Sequence, residues 1–301
     1  MPSSRRSARW TGPGQDGASA PTVAAVLRPR GSLADLVRKP SRNPEPGPVT
    51  VPAPGDYPLS FRADQSLRHV AETLGLPACE IGSARLGDQD WSLELPPPDG
   101  SVIDLFAVEE PLRLDAEPRF VADVHLGRLA RDLRLLGFDV GWRNDNDAEA
   151  LVLAALAEGR IVLTRNRGLL FRRAFASPHE EGLKAGDGQP PAWGMLLRSR
   201  DPYEQLVEVA RRFGLAPRMR LFSRCAACGS PLVAAQRDEV LDLVPPVVAR
   251  RYSEFYLCPS CRKPYWKGDH LRTIAPLLER LRGDLGEGGQ GAGDMGESGA
   301  D

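Results

Sequence analysis

The stretch RFVADVHLGRLARDLRLLGFDV, residues 119–140, predicts the fold of the central part of the chain. A short apolar run at residues 120–122 is followed by leucines at helical spacing and then by a second apolar run at residues 138–142. The same order returns downstream, where a helical pattern through Leu156 precedes the apolar RIVLT and the helix start RNRGLLFRRAF. Strands that alternate with helices predict a parallel sheet with right-handed crossovers.

Acidic residues follow the predicted strands of this sheet. Asp123 ends the first strand, Asp145 and Asp147 follow the second, and the polar TRNR, residues 164–167, follows the third. Ligands of parallel sheets collect at the carboxyl ends of the strands, and carboxylates there bind hard cations such as Mg²⁺ or Mn²⁺. Each acid alone is also an ordinary helix cap. Together they predict a metal site suited to phosphodiester hydrolysis.

The part of the chain before this sheet has a different pattern. The strand TVAAVLRP is followed by a Pro- and Arg-rich loop, and SFRADQSLRHVAETLGLP then predicts a strand and a helix capped by Asp64 or Ser66. Short strands separated by Gly-Asp and Pro-Asp-Gly turns follow. This order resembles a small ubiquitin-like β-grasp domain, for which we expect residues 21–115.

Four of the five cysteines form two close pairs, which are typical of a metal site. Cys225 and Cys228 form the first pair, Cys258 and Cys261 the second, and 29 residues separate the pairs. Four thiolates predict a structural, tetrahedral zinc site, since no position is left open for a reacting water. Free thiols are the alternative. Cys79 stands alone and is expected to be a buried apolar residue.

Composition limits the compartment and the partners. The 301 residues are 42% hydrophobic, with no apolar run long enough for a membrane span and no secretory signal. We therefore expect a cytoplasmic protein with no membrane partner. Residues 1–20 and 283–301 are predicted to be disordered tails, the second of them acidic. Residues 195–282 contain 16 basic and 9 acidic side chains, which favours a polyanionic partner, although a solvated surface has the same composition.

Four segments together resemble the Mut-seven C-terminal RNase family. They are FVADVHLGRLARDLRLLGFDV, EGRIVLTRNRGLL, RCAACGSPL and FYLCPSCRKPYWKGDH, and the similarity runs from about Arg119 to Leu281. The resemblance implies a PIN-like nuclease domain, residues 118–217, followed by a zinc ribbon, residues 218–282. Bacterial members often carry a ubiquitin-like domain in front, so the resemblance covers nearly all of the predicted folded chain.

The family implies a ribonuclease that depends on Mg²⁺ or Mn²⁺. Its catalytic acids correspond to Asp123 and Asp147, with Asp145 or Glu149 as neighbours able to substitute. The third position departs from the family, because Asn166 stands where an aspartate is usual. An asparagine oxygen can bind a metal, but it carries no charge and cannot act as a base.

Basic and aromatic side chains are candidates for contact with single-stranded RNA. These candidates are Arg128, Arg131, Arg165, Arg262, Lys263, Trp266 and Lys267. Arginines bind phosphate and aromatic rings stack on bases, but a solvated helix face and a small ribbon core explain them equally well. The sequence thus predicts a metal-dependent ribonuclease for single-stranded RNA. The alternative is a non-catalytic RNA-binding or adaptor protein, and the ubiquitin-like domain can bind a protein partner.

Overall fold

The structure, a computed structural model, describes residues 20–38, 53–114, 116–178 and 192–286. The predicted N-terminal tail lies outside these residues, apart from residue 20. The predicted C-terminal tail lies outside them after residue 286. Most of the Pro- and Arg-rich loop that follows the first strand is also outside the described part of the chain.

In its described residues, the N-terminal unit has a mixed five-stranded sheet and one α-helix. Its elements are β1 Thr22–Pro29, β2 Tyr57–Arg62, α1 Leu67–Thr73, β3 Ile81–Leu86, β4 Gln89–Asp90 and β5 Ser101–Ala107. The strand order is β2-β1-β5-β3-β4, with β1 and β5 parallel and the other pairs antiparallel. Ser66 caps α1, as one of the two predicted candidates, because its hydroxyl accepts a hydrogen bond from the His69 N–H. This arrangement agrees with the predicted β-grasp fold.

The central unit is a parallel sheet flanked by helices, as predicted. Its elements are β6 Arg119–Ala122, α2 Gly127–Leu135, β7 Asp139–Gly141, α3 Ala148–Glu158, β8 Ile161–Thr164, α4 Arg167–Leu170, β9 Gly194–Leu196 and α5 Pro202–Phe213. All neighbouring strands are parallel, in the order β7-β6-β8-β9. β6 therefore lies between β7 and β8, so Asp123 follows an interior strand of the sheet. β9 and α5 had not been predicted.

The two faces of the parallel sheet belong to different cores. On β6, Phe120 and Ala122 point into a core formed with α2 and α5, whereas Val121 points the other way. This alternation follows from the two-residue period of a strand. Val121 joins a second core that includes α3, α4 and the buried side chains of the N-terminal unit. The N-terminal unit therefore packs on the central unit through one continuous apolar core.

A buried ion pair also joins these two units. Glu80 and Arg212 have side chains that are 1% and 7% exposed, and their charged atoms lie 2.8 Å apart. Glu80 also accepts a hydrogen bond from the Leu196 N–H at 2.7 Å, and Arg212 pairs with Glu110 at 2.8 Å. Both buried charges are therefore compensated, as burial requires.

The third unit is a small ribbon that follows the central unit. Its elements are β10 Val233–Ala235, α6 Arg237–Val240, α7 Pro246–Arg251, β11 Phe255–Leu257 and β12 Pro264–Trp266, and α8 Asp269–Asp284 follows. The ribbon strands form an antiparallel sheet in the order β10-β11-β12. The last helix returns to the central unit, where Leu281 is fully buried and Tyr203 donates a hydrogen bond to Asp284 at 2.5 Å.

Among the described residues, no helix combines the length and the apolar character that crossing a membrane requires.

Candidate functional site

Asp123 lies at the carboxyl end of β6 and performs a structural role there. Its backbone N–H donates to the Leu163 carbonyl of the adjacent strand at 3.0 Å. Its side chain accepts a hydrogen bond from the His125 N–H at 3.3 Å and caps a short 3-10 helix, Val124–Leu126. The cap explains why an acid ends this strand, but it uses only one of the two carboxylate oxygens.

The second oxygen of Asp123 is bound by Thr164, the last residue of β8. The Thr164 hydroxyl is fully buried and donates to Asp123 Oδ2 at 2.7 Å. The same hydroxyl accepts a hydrogen bond from the Asn166 N–H at 2.9 Å. One hydroxyl thus couples the carboxylate after β6 to the loop after β8, which is the convergence expected at the edge of a parallel sheet.

A cleft of about 440 Å³ opens at this edge and is called here the Asp123 cleft. Its polar lining consists of Asp123, His125, Asn146, Arg165 and Asn166, and its apolar lining consists of Val124, Leu126, Ala148, Leu151 and Leu169. Within the described part of the chain, the side chains of Asn146, Arg165 and Asn166 make no hydrogen bond or ion pair. Unpaired polar groups that converge on a concave surface are available to a ligand.

The other predicted acids do not line this cleft. Asp147 accepts a hydrogen bond from the Ala150 N–H at 2.7 Å and is the N-cap of α3. Asp145 pairs with Arg143 at 2.9 Å on the exposed surface, and this hydrogen bond lowers the pKa of Asp145. Glu149 is exposed in the first turn of α3. The side chain that this segment contributes to the cleft is Asn146, which is not among the site residues predicted from the sequence.

Among the described residues, Asp123 is therefore the sole carboxylate that lines the cleft. Two amides, Asn146 and Asn166, supply neutral oxygens beside it, and Arg165 supplies a positive charge. Hard divalent cations accept carboxylate and amide oxygens and keep several waters. The lining thus offers one carboxylate and two amide side chains that could serve as ligands of such a cation.

The arginines of α2 differ in their surroundings. Arg128 is exposed and pairs with Asp132 at 2.9 Å, whereas Arg131 is exposed without an ion pair in the described structure. Arg134 is buried, and its guanidinium donates to the carbonyls of Val140 and Ala227, each at 2.9 Å. Arg134 thus connects the central unit to the first cysteine loop and is not exposed to a ligand.

The four paired cysteines meet at one point, as predicted. Their Sγ atoms all lie within 4.8 Å of one another, with Cys225 and Cys261 3.5 Å apart and Cys228 and Cys258 3.4 Å apart. A tetrahedral zinc ion with Zn–S bonds of about 2.3 Å separates its sulfurs by about 3.8 Å, which is close to this spacing. Among the described residues, this is the one group of three or more His, Cys, Asp or Glu side chains close enough to bind a metal.

Two matching backbone turns aim the thiols at that point. The Gly229 N–H donates to the Cys225 carbonyl at 2.8 Å, and the Arg262 N–H donates to the Cys258 carbonyl at 2.9 Å. Both donor residues have positive φ, +84° for Gly229 and +59° for Arg262. Glycine adopts this conformation without strain, while Arg262 has a side chain that disfavours it. The repeated geometry supports two equivalent metal-binding knuckles.

Hydrogen bonds around the first cysteine pair, Cys225 and Cys228, favour thiolates. The Tyr265 hydroxyl lies 3.1 Å from Cys225 Sγ and accepts a hydrogen bond from the Ala226 N–H at 3.0 Å. Burial raises the pKa of Cys228, but hydrogen bonds with the Ser230 side chain and backbone and with neighbouring thiols lower it to about 6. Partners of this kind orient metal ligands in proteins.

The aromatic side chains of the ribbon pack mainly against one another. Tyr265 is buried, and the rings of Phe222 and Tyr256 stack with centroids 5.6 Å apart. Trp266 is half buried against the ribbon core. These contacts favour the small-core explanation of the aromatics over an open stacking platform.

The predicted basic side chains of the ribbon are on its surface. Arg262 and Lys263 are exposed, and Lys267 pairs with Glu254 at 2.5 Å. An exposed pair of this kind is weak and leaves the lysine available to a phosphate.

Comparison with protein families identifies one match. The sequence model of the Mut7-C RNAse domain matches residues 118–278, which contain the parallel sheet, the Asp123 cleft and all four paired cysteines. Comparisons with curated proteins and with solved structures gave no significant match. Because the matched residues make up more than half of the 301-residue chain, the protein belongs to the Mut7-C RNAse domain family.

Proposed function

We propose that the protein hydrolyses phosphodiester bonds of single-stranded RNA in the Asp123 cleft. The observation that carries this proposal is the lining of the cleft: a carboxylate held by Thr164 and surrounded by unpaired Asn146, Arg165 and Asn166 side chains, inside an RNase family domain. Single strands are the favoured substrate because their backbone and bases can be bent into a cleft.

Asp123 is the proposed principal ligand of a catalytic Mg²⁺ or Mn²⁺ ion. The amide oxygens of Asn146 and Asn166 are the neutral ligands beside it, and phosphate oxygens of the substrate would complete the coordination. Magnesium sites of phosphoryl-transfer enzymes often use one or two carboxylates in this way. When bound, the ion supplies an activated water and neutralises negative charge on the phosphate in the transition state.

The protein groups have separate tasks in this mechanism. Thr164 keeps the Asp123 carboxylate in one orientation, so little reorganisation is needed when substrate binds. The exposed Arg165 guanidinium at the cleft binds a phosphate oxygen of the RNA. Arg128 and Arg131 on α2, with Arg262, Lys263 and Lys267 on the ribbon, are proposed to contact more distant phosphates, which adds affinity without sequence preference.

Asp147, predicted from the sequence as a metal ligand, is proposed to have an indirect role instead. Its carboxylate caps α3 next to Asn146 and Ala148, which line the cleft. We propose that Asp147 acts by fixing this helix start, while Asp145 and Glu149 remain on the surface. The site would then carry less negative charge than a set of three acids, and the cation would bind mainly together with RNA.

A non-catalytic RNA-binding protein is the second candidate. It is favoured by the same single carboxylate, because Asn166 and Asn146 can bind RNA but cannot act as bases. In that case the cleft and the ribbon would bind single strands without cutting them.

The cysteine cluster is proposed to bind a structural Zn²⁺ that folds the ribbon. All four ligands are protein thiols, so no coordination position is left for catalysis. We also propose the predicted division into a β-grasp domain, a nuclease domain and a ribbon, with α8 as the helix that ties the ribbon back to the nuclease domain.

The test is a cleavage assay with 5′-labelled single-stranded RNA and Mn²⁺ or Mg²⁺. Purified protein should cut the RNA, and Asp123→Asn should reduce the rate about 100-fold or more, the scale of one lost electrostatic group. Asparagine has the shape of aspartate but only one acceptor oxygen, so it can keep either the Thr164 or the His125 hydrogen bond, and the rates are compared at equal folded concentration. If the parent protein and Asp123→Asn both bind RNA and neither cleaves it, the second candidate is favoured. If the parent protein neither binds nor cleaves RNA, a role of this cleft in RNA metabolism is refuted.

A further inference from the structure

An arginine next to the Asp123 cleft, Arg167, connects it to the N-terminal unit. Arg167 is the first residue of α4 and directly follows Asn166. Its guanidinium donates from Nη1 to the carbonyl oxygens of Leu36, at 2.6 Å, and Gly75, at 2.9 Å. Both acceptors belong to the N-terminal unit, more than 90 residues earlier in the chain.

One acceptor carbonyl is at a helix end and the other lies just beyond one. Leu36 ends a 3-10 helix, Gly31–Leu36, and Gly75 follows the C-cap of α1. A positive side chain at such an end satisfies the free carbonyls and interacts favourably with the helix dipole. The N-terminal unit thus presents a specific binding site for the Arg167 guanidinium.

Gly75 provides the space for this contact. It has φ of +81°, and a Cβ atom built on it would lie 2.8 Å from Arg167 Nη1. Any side chain at this position would displace the guanidinium and would be strained by the positive φ. The contact of Arg167 with the Gly75 carbonyl therefore requires a glycine at position 75.

We propose that Arg167 is a positioning residue for the Asp123 cleft, through which the N-terminal unit fixes the Asn166 loop. The Asn166 N–H donates to the Thr164 hydroxyl, which in turn donates to Asp123. The residue that follows Asn166, Arg167, is bound to the N-terminal unit. Leu169 and Leu170, in the next turn, are buried in the core shared with that unit. The N-terminal unit thus acts in RNA binding without touching RNA, an inference that rests on the proposed function of the cleft.

Arg68 offers a matched control. Its guanidinium also joins the two units, by donating to the Phe175 carbonyl, but neither residue lines the Asp123 cleft. Arg68→Ala and Arg167→Ala therefore both remove an arginine contact between the units, and only the second releases the Asn166 loop.

The first measurement is hydrogen–deuterium exchange of the full-length variants. Arg167→Ala should speed exchange of the backbone amides of residues 165–170, while Arg68→Ala should leave these amides as they are in the parent protein. Arg167→Lys, which can reach one carbonyl with its ammonium group, should restore part of the protection. Unchanged exchange at residues 165–170 in Arg167→Ala would overturn the proposal.

The second measurement is a double-mutant cycle on RNA affinity, with a single-stranded RNA that carries non-cleavable linkages. Asn166→Ala and Arg167→Ala should each weaken binding about tenfold, the scale of one hydrogen bond to a charged group. The double variant should bind RNA only slightly more weakly than either single variant, because both substitutions act through the side-chain amide of Asn166. Additive effects, or equal effects of Arg68→Ala and Arg167→Ala, would overturn the proposal. If the parent protein binds no RNA, the proposed function fails, and the exchange measurement alone decides the role of Arg167.

Discussion

Thr164 and Asp123, at the ends of adjacent parallel strands, share a hydrogen bond of 2.7 Å that spans 41 residues of sequence. The hydroxyl is fully buried, and it also accepts the backbone N–H of Asn166. This arrangement gives the Asp123 carboxylate one orientation and fixes the start of the next loop. It is the main reason to treat Asp123 as more than a helix cap.

Replacement of Thr164 by valine tests this relationship. Valine matches threonine in shape but leaves Asp123 Oδ2 and the Asn166 N–H without their partner, so the free energy of unfolding should fall by about 1–3 kcal/mol. Activity should fall as well, because the carboxylate is free to rotate. Denaturant unfolding and the RNA assay measure the two effects. Thr164→Ser keeps the hydroxyl and is the control; similar losses in both variants would contradict the account.

Two substitutions of Asp147 separate the effect of its charge from the effect of its capping role. Asparagine is as good an N-cap as aspartate, whereas alanine costs about 1 kcal/mol. Asp147→Asn should therefore preserve both stability and RNA cleavage, and Asp147→Ala should lower stability by about that amount. Thermal unfolding and the cleavage rate are the measurements. A loss of cleavage in Asp147→Asn at unchanged stability would show that this carboxylate is itself a metal ligand.

The buried pair of Glu80 and Arg212 should contribute strongly to the attachment of the N-terminal unit. Glu80→Gln leaves the buried Arg212 with Glu110 as its one charged partner in the part of the chain that the structure describes, so we expect a loss of about 3 kcal/mol in unfolding free energy. Asp104→Asn removes the partner of the exposed Arg30 and should cost less than about 1 kcal/mol. Chemical denaturation compares the two, and equal costs would be incompatible with a specific role for the buried pair.

The ribbon should depend on its metal. Purified protein should contain one zinc ion per chain, and Cys258→Ser should lose zinc together with the folded ribbon. Tyr265→Phe removes the hydroxyl beside Cys225 and should weaken zinc binding about 10- to 100-fold while the fold is kept. Elemental analysis and competition with a chelator measure these effects. Cys79→Ala, outside the cluster, should retain full zinc content; loss of zinc there would argue against the assigned ligand set.

Much of the fold could be predicted because its signals are local. The strand before Asp123 follows from its apolar residues, and the start of α1 follows from the capping residue Ser66. The end of α3 follows from Gly159, which adopts a positive φ. The cysteine cluster could also be predicted, since two close pairs have few other uses. β9 and α5 were missed, although Asp201 as the N-cap and Pro202 as the first residue of α5 are an ordinary helix start.

The lining of the cleft could be predicted only in part. Asp123 and Asn166 line it, but three consecutive polar residues after β7, Asp145 to Asp147, were equally able to point inward. Their directions depend on where α3 begins, which sequence alone places only to within a few residues. The cap by Asp147 turns its own side chain to the helix, and Asn146 lines the cleft instead. The attachment of the N-terminal unit through Arg167 depends on tertiary contacts and had no sequence signal.

The central claim is that Asp123 is the catalytic carboxylate and that Asn166 leaves the site short of negative charge. The most direct test is the single-turnover cleavage rate of single-stranded RNA in Mn²⁺, measured for the parent protein, Asp123→Asn and Asn166→Asp at equal folded concentration. The account predicts that cleavage is lost in the first variant and faster than the parent in the second, because a further carboxylate strengthens cation binding. Cleavage by Asp123→Asn at the parental rate would contradict it.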